Sequence, residues 1–283
     1  MKSVLYLLML IAICSCHSPQ QQQQMENSSS NDTISQLSTK LQYGKINLVE
    51  TSNVKKDVEL TNDELYKCIS IKIINGAFII DSIENFARKC LKLELITKDE
   101  YNNEQKNAIN FLVPDSVSFP KKYGITTLPF SSGDVQYVDV YPDEASMREY
   151  YYRGHYSNPE FYLMYVQYYE AGCSYWLLDK SDSSVKIEFP SLPYFTPDKK
   201  NIIAVAFEPY GDYNCAVKLC TVKRNSITCI FQASFINWAP SFEEQGYMSA
   251  DGCFRVPIIS SDVIWTPQGN FNKNYQYLKI SVL

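Results

Sequence analysis

From about residue 117 to the C-terminus the chain is a succession of short runs in which β-branched and aromatic residues alternate with polar ones, separated by Gly, Pro and Asp. Val135-Gln136-Tyr137-Val138-Asp139-Val140-Tyr141 and Phe161-Tyr162-Leu163-Met164-Tyr165-Val166-Gln167-Tyr168 change side at every residue, which suits a pleated strand and not a helix, whose period is about 3.6. Ser174 to Asp179, a polar turn over 180–184, and Val185 to Phe189 form a hairpin pattern. Ala216 to Val222 and Ser226 to Phe231 form another. Residues 117–283 are therefore expected to be a β-rich, Tyr-rich domain in a mainly β protein.

Residues 40–116 mix the two periodicities and read as a small α+β part. Ile69-Ser70-Ile71-Lys72-Ile73 and Ala77-Phe78-Ile79-Ile80 flank Asn75-Gly76 as a hairpin would. Asp81 or Ser82 can cap a helix that carries Ile83, Phe86, Ala87, Cys90 and Leu91 on one face. Thr97-Lys98-Asp99-Glu100 is a capping box and predicts a second helix through Tyr101, Ala108, Phe111 and Leu112, stopped by Pro114.

The N-terminus carries address information. Met1-Lys2 precedes an apolar run, Val4 to Ile13, that is too short to span a bilayer as a helix and reads as a signal peptide over 1–15. Ile13-Cys14-Ser15-Cys16 resembles the lipobox of bacterial outer-membrane lipoproteins. The resemblance implies lipidation of Cys16, and His17 in place of an Asp implies the outer membrane, facing the periplasm. The alternative is an ordinary signal peptide releasing a secreted protein, in which Asn27-Ser28-Ser29 and Asn31-Asp32-Thr33 are glycosylation triplets. Residues 16–39, with Gln20 to Gln24, bury almost nothing and read as a flexible tether that reaches about 25 Å.

Phe195-Thr196-Pro197-Asp198-Lys199 leads into Asn201 to Ala206, and Trp238-Ala239-Pro240-Ser241 and Trp265-Thr266-Pro267-Gln268-Gly269 echo it. Together with the hairpin before it, the stretch over 174–270 resembles the blade repeat of TolB-like propeller proteins. The second echo is spaced wrongly and only the first copy keeps the Asp. The architecture expected is a partial propeller-like domain or an antiparallel β-sandwich.

Composition removes several function classes. Lys+Arg 26 against Asp+Glu 31 leaves a net charge of −5, with no basic excess to neutralise phosphates, so no nucleic-acid partner is expected. Walker and Rossmann glycine motifs are absent, no Cys-x-x-Cys occurs, and no cofactor or metal is expected. His155 is the one histidine beyond the tether and has no Gly-x-Ser-x-Gly elbow to serve, so it reads as a surface turn residue. Asp139, Asp143, Glu144, Glu149 and Glu160, and likewise Asp179, Asp182, Glu243 and Glu244, offer carboxylates that a glycosidase would pair, with solvated acids as the plainer reading. Beyond Cys14 and Cys16, the cysteines are Cys68, Cys90, Cys173, Cys215, Cys220, Cys229 and Cys253. In an oxidising compartment they are disulfide candidates, with at least one left over; Cys68–Cys90 would tie hairpin to helix, and Cys220 and Cys229 lie on the two arms of one hairpin.

Ten tyrosines lie between residues 137 and 169. Tyr150, Tyr151, Tyr152, Tyr156, Tyr168 and Tyr169 are the candidates for a partner-binding surface, the plainer reading being that tyrosine fills a β core. The expectation is a lipid-anchored, non-enzymatic envelope protein that binds a macromolecular partner, in one version an immunity or inhibitor lipoprotein against a periplasmic toxin or hydrolase. The alternatives are an envelope hydrolase acting on glycan through paired carboxylates and a scaffold component of an envelope complex.

Overall fold

A computed structural model describes residues 59–70, 83–141, 146–169, 172–207, 215–224 and 226–283, all within one unit, Asn53–Leu283. The predicted turn at Asn75-Gly76, the signal peptide, Cys16 and the tether lie outside the described residues, as do Asp143 and Glu144. Among the described residues no helix is long and apolar enough to cross a membrane.

The chain is mainly β. In order, its elements are β1 (Cys68–Ser70), α1 (Ile83–Cys90), β2 (Leu91–Ile96), α2 (Lys98–Gln105), β3 (Ala108–Ile109), β4 (Ile125–Phe130), β5 (Gly133–Val138), β6 (Arg148–Ser157), β7 (Glu160–Tyr168), β8 (Gly172–Asp179) and β9 (Val185–Phe189). There follow β10 (Tyr194–Phe195), β11 (Asn201–Phe207), β12 (Cys215–Lys223), β13 (Ser226–Phe235), β14 (Trp238–Pro240), β15 (Tyr247–Ser249), β16 (Cys253–Ser260) and β17 (Gln276–Val282).

Among the described residues these strands form four antiparallel sheets, none of them closed: β4-β5, β6-β7-β8-β9, β10-β11-β12-β13-β1, and β2-β17-β16-β15-β3 with β14 beside β16. Alternate residues of the inner strands pack against the sheets on either side. Leu128 and Phe130 of β4 meet Tyr162, Met164 and Val166 of β7. The other face of β7, Phe161 and Leu163, meets Ile202 and Ala204 of β11. The opposite face of the β11–β13 sheet, with Ile203, Leu219 and Phe231, meets Val256, Leu278 and Ile280. The sheets thus succeed one another in a stack with three apolar layers between them. Strands from both sides of residue 116 share sheets, β1 with β13, β2 with β17 and β3 with β15.

α1 buries Ala87 and packs Phe86 and Cys90 on the third apolar layer as expected, whereas Leu91 is buried as the first residue of β2, and the cap at Asp81 or Ser82 and the Ile83 side chain lie outside the described residues. Thr97 caps α2 by accepting from the Glu100 amide at 3.1 Å. α2 is shorter than its capping box suggests: it ends at Gln105, and Ala108–Ile109 is strand β3, paired with β15. Only Tyr101 of that helix is buried, so nothing apolar rewards its continuation. The Thr-Pro echoes at 196 and 266 are similar local turns that differ by one residue in length. In each, the threonine carbonyl accepts an amide three residues on (Lys199 at 2.8 Å, Gly269 at 2.9 Å), and its hydroxyl accepts the amide of Asn201 or Asn270.

Register shifts break the strict alternation at three places among the described residues, one of them in β8/β9, where pairing passes from Leu177↔Ile187 to Leu178↔Val185 and leaves Lys186 unmatched. Pairing of β6 with β7 passes from Tyr152↔Met164 to Gly154↔Leu163, leaving Arg153 unmatched, and Tyr156 then faces the second apolar layer while Tyr152 faces the other. Pairing of β12 with β13 passes from Leu219↔Phe231 to Cys220↔Cys229, leaving Ile230 unmatched.

Arg255 of β16 has a side chain only 3% exposed, and its guanidinium clasps Asp251 at 2.9 and 2.7 Å. That clasp, with the Cys253 amide, holds the Asp251 carboxyl down at about 2 against an ordinary 3.8. A carboxyl depressed by folding stabilises fully above its unfolded value and ceases to do so as pH falls through its folded one. The thermal midpoint of the wild type is therefore expected to exceed that of Asp251→Asn above about pH 5, the gap narrowing as pH falls toward about 2. A gap that stays constant in melts across that range would contradict the assignment.

Candidate functional site

Residues on neighbouring antiparallel strands that share a register line stand side by side on one face of the sheet, with Cβ atoms about 4.5–5.5 Å apart. The register sets Tyr151 of β6 against Tyr165 of β7, Tyr165 against Tyr175 of β8, and Tyr175 against Phe189 of β9. The result is one aromatic row across four strands, with ring centroids 6.0 Å apart for Tyr151–Tyr165 and 5.2 Å for Tyr165–Tyr175. Phe189 is buried in the second layer and Tyr175 packs against that layer, while Tyr151, Tyr165 and Tyr175 are each partly exposed. The row therefore emerges from the core onto the surface.

Charged side chains fix its exposed end. The Arg153 guanidinium, freed for the surface by the bulge, lies 4.8 Å from the centre of the Tyr165 ring. Lys121 sits 3.9 Å over the Tyr151 ring and pairs with Asp139 Oδ2 at 2.5 Å. Asp139 is nearly buried, and its other oxygen accepts the Tyr150 amide at 2.9 Å. The Tyr141 hydroxyl reaches both Asp139, at 3.1 Å, and Glu149, at 2.9 Å, and Tyr151 donates to the other oxygen of Glu149.

The protonation states follow from this network. Hydrogen bonds from Tyr151 and then Tyr141 hold the Glu149 carboxyl below its ordinary value. The same bonds push the Tyr151 and Tyr141 hydroxyls up, and burial pushes Tyr165 to about 12 and raises Tyr175. Near neutral pH the face presents neutral phenols around an ionised carboxylate.

Of the carboxylates singled out in sequence, Asp139 and Glu149 come together, joined through one tyrosine hydroxyl. A glycosidase acid needs its pKa raised, and Glu149 is shifted the other way while Lys121 pairs with Asp139. Glu160 is exposed at the start of β7, and Asp179 is buried as a turn cap, accepting from the Ser181 amide at 2.8 Å. Asp182 binds Lys186 at 2.9 Å, and Glu243 binds Lys273 at 2.8 Å. His155 lies in β6 and not in a surface turn; its Nδ1 is 3.2 Å from Asp115, which also accepts the Tyr152 hydroxyl at 2.5 Å. A shallow depression of about 510 Å³ on the β4-β5 hairpin has one carboxylate, Asp134, in its lining. Among the described residues no three metal-ligating side chains converge.

The tyrosines named from sequence divide. Tyr152 and Tyr156 are core residues, Tyr156 donating to the Pro193 carbonyl at 3.0 Å, so neither is available to a partner. Tyr150 packs against Tyr137 and Trp176 in the outer layer, and Tyr168 bonds Ser174 on that same side. Tyr169 is 58% exposed at the end of β7. Tyr151 alone of the six belongs to the row; Tyr165, Tyr175 and Arg153 were not singled out. Their alternation was visible, but which tyrosines line up depends on strand pairing, which no local signal carries.

The expected disulfides are not formed: among the described residues none of the seven cysteines is bonded to another. Cys68 and Cys90 pack on the third apolar layer, burial pushing the Cys68 thiol to about 12, and Cys253 lies 3.2 Å from the Ser281 hydroxyl. Cys173 is exposed beside Tyr165.

No protein family, no curated protein and no solved structure matches the chain.

Proposed function

We propose that the chain is a non-enzymatic, lipid-anchored protein of the cell envelope that holds a protein partner against its tyrosine row, in the manner of an immunity or inhibitor lipoprotein acting on a periplasmic toxin or hydrolase. The observation that carries the binding reading is the in-register row Tyr151–Tyr165–Tyr175, partly exposed and braced by Arg153, Lys121 and Glu149. Tyr and Arg dominate binding hot spots because they offer large contact area and directed donors, and here much of their rotamer entropy is already given up to stacking and hydrogen bonds. The anchor rests on the lipobox-like Ile13-Cys14-Ser15-Cys16.

The test is the affinity of the mature chain for a secreted toxin or hydrolase encoded beside its gene. Tyr165→Ala is expected to weaken that affinity by at least about tenfold with little change in melting temperature. Unchanged affinity in Tyr165→Ala, Tyr175→Ala and Arg153→Ala would sink the assignment of the face. Absence of any such binding by the wild type would sink the inhibitor version.

A further inference from the structure

We propose that Cys220 and Cys229 form a redox-active dithiol that closes to a cross-strand disulfide by exchange with a disulfide oxidant. The bulge at Ile230 creates the pair. In an unbroken register continuing from Leu219↔Phe231, Cys229 would oppose Thr221 and share the face of Phe231, in the third apolar layer. With Ile230 unmatched, Cys229 turns to the second apolar layer and stands directly opposite Cys220. Opposed residues of antiparallel strands have Cα atoms about 4.5–5.5 Å apart, inside the span of about 4.4–6.8 Å that a disulfide bridges. Pairing of Thr221, Val222 and Lys223 with Thr228, Ile227 and Ser226 beyond the bulge fixes the two arms.

The two sulfurs are inequivalent. Cys220 is fully buried, while Cys229 is partly exposed toward the end of the hairpin. The hydrogen bond from Cys220 and then the charge of Lys218 hold the Cys229 thiol below its ordinary range, and the same hydrogen bond together with burial pushes Cys220 up. Cys229 is thus the attacking sulfur and Cys220 the resolving one. The Cys229 thiolate attacks one sulfur of the oxidant, breaking its S–S bond; the electron pair leaves on the other oxidant sulfur, which takes up a proton. Cys220 then gives its proton to solvent and attacks the Cys229 sulfur of the mixed disulfide, displacing the second oxidant thiol. Two protein thiols are oxidised and one oxidant disulfide is reduced to two thiols. The proposal is independent of the partner-binding reading, since neither cysteine belongs to the tyrosine row.

The test equilibrates the mature chain with reduced and oxidised glutathione, quenches in acid, alkylates free thiols and maps the peptides by mass spectrometry. The expected result is a Cys220–Cys229 link, reversed by reduced glutathione, with a melting temperature for the linked form higher by about 5 °C. In Cys220→Ser the glutathione adduct should accumulate on Cys229. Recovery of both cysteines alkylated under oxidised glutathione, a stable glutathione adduct on wild-type Cys229, or a link from either cysteine to another would overturn the proposal. The wild-type measurement decides alone if the variant does not fold.

Discussion

Trp238→Ala is expected to cost about 4–6 kcal/mol of folding free energy, the largest loss from any single residue considered above. The indole is wholly buried in the third apolar layer, packs 5.0 Å from the Phe235 ring and donates from Nε1 to the Leu65 carbonyl at 3.0 Å. Beside it, Asn237 donates to the Glu64 carbonyl at 3.2 Å, so this corner of β14 pins the short helical turn Glu64–Tyr66 to strands far along the chain. Alanine leaves a cavity between sheets and strands a buried carbonyl. Trp238→Phe keeps much of the volume and loses the hydrogen bond, for about 1–3 kcal/mol. Since domains are stable by only about 5–15 kcal/mol, the alanine variant should sit close to its unfolding balance. Urea titrations followed by circular dichroism separate the two variants; a loss under about 2 kcal/mol for alanine would contradict the packing assigned to this corner.

The second large effect is at Gly154. Its φ of +143° lies where side chains other than hydrogen are strained, and a Cβ there would meet the Val113 carbonyl oxygen at 2.3 Å. That approach is what lets Val113 and His155 exchange backbone hydrogen bonds at 2.9 and 3.1 Å. Gly154→Ala should cost about 3 kcal/mol, from backbone strain and displacement of the 113–115 segment. The midpoint should fall by roughly 6–12 °C. A drop within about 2 °C would mean that the bulge does not hold this close approach.

The strands were the most legible part of the sequence, because a half-buried strand writes its period into the chain. The pairs β8/β9 and β12/β13 fall where alternation and polar turns put them. The end of α2 was not legible: a capping box marks where a helix starts, and where it stops depends on β3 finding β15. The bulges in β6 and β13 were hidden for a related reason. Tyr152 and Tyr156 share a side in any strict alternation, and only the unmatched Arg153 sends them into different layers. The same logic hid the opposition of Cys220 and Cys229, which sequence places only on two arms of one hairpin. The candidate face was half legible. The abundance of tyrosine announced a recognition or core role, but choosing Tyr151, Tyr165 and Tyr175 requires register across three strands.

That choice is tested most directly by site-specific photocrosslinking of the full chain in the cells that express it. A benzophenone side chain replaces Tyr165 in one variant and the exposed Asp99 of α2 in another. The account predicts a discrete protein adduct at position 165, reduced at least about fivefold when Arg153 is also replaced by alanine, and no such adduct at position 99. Equal labelling at both positions, or no adduct at 165, would contradict the claim that the tyrosine row is where this protein holds its partner.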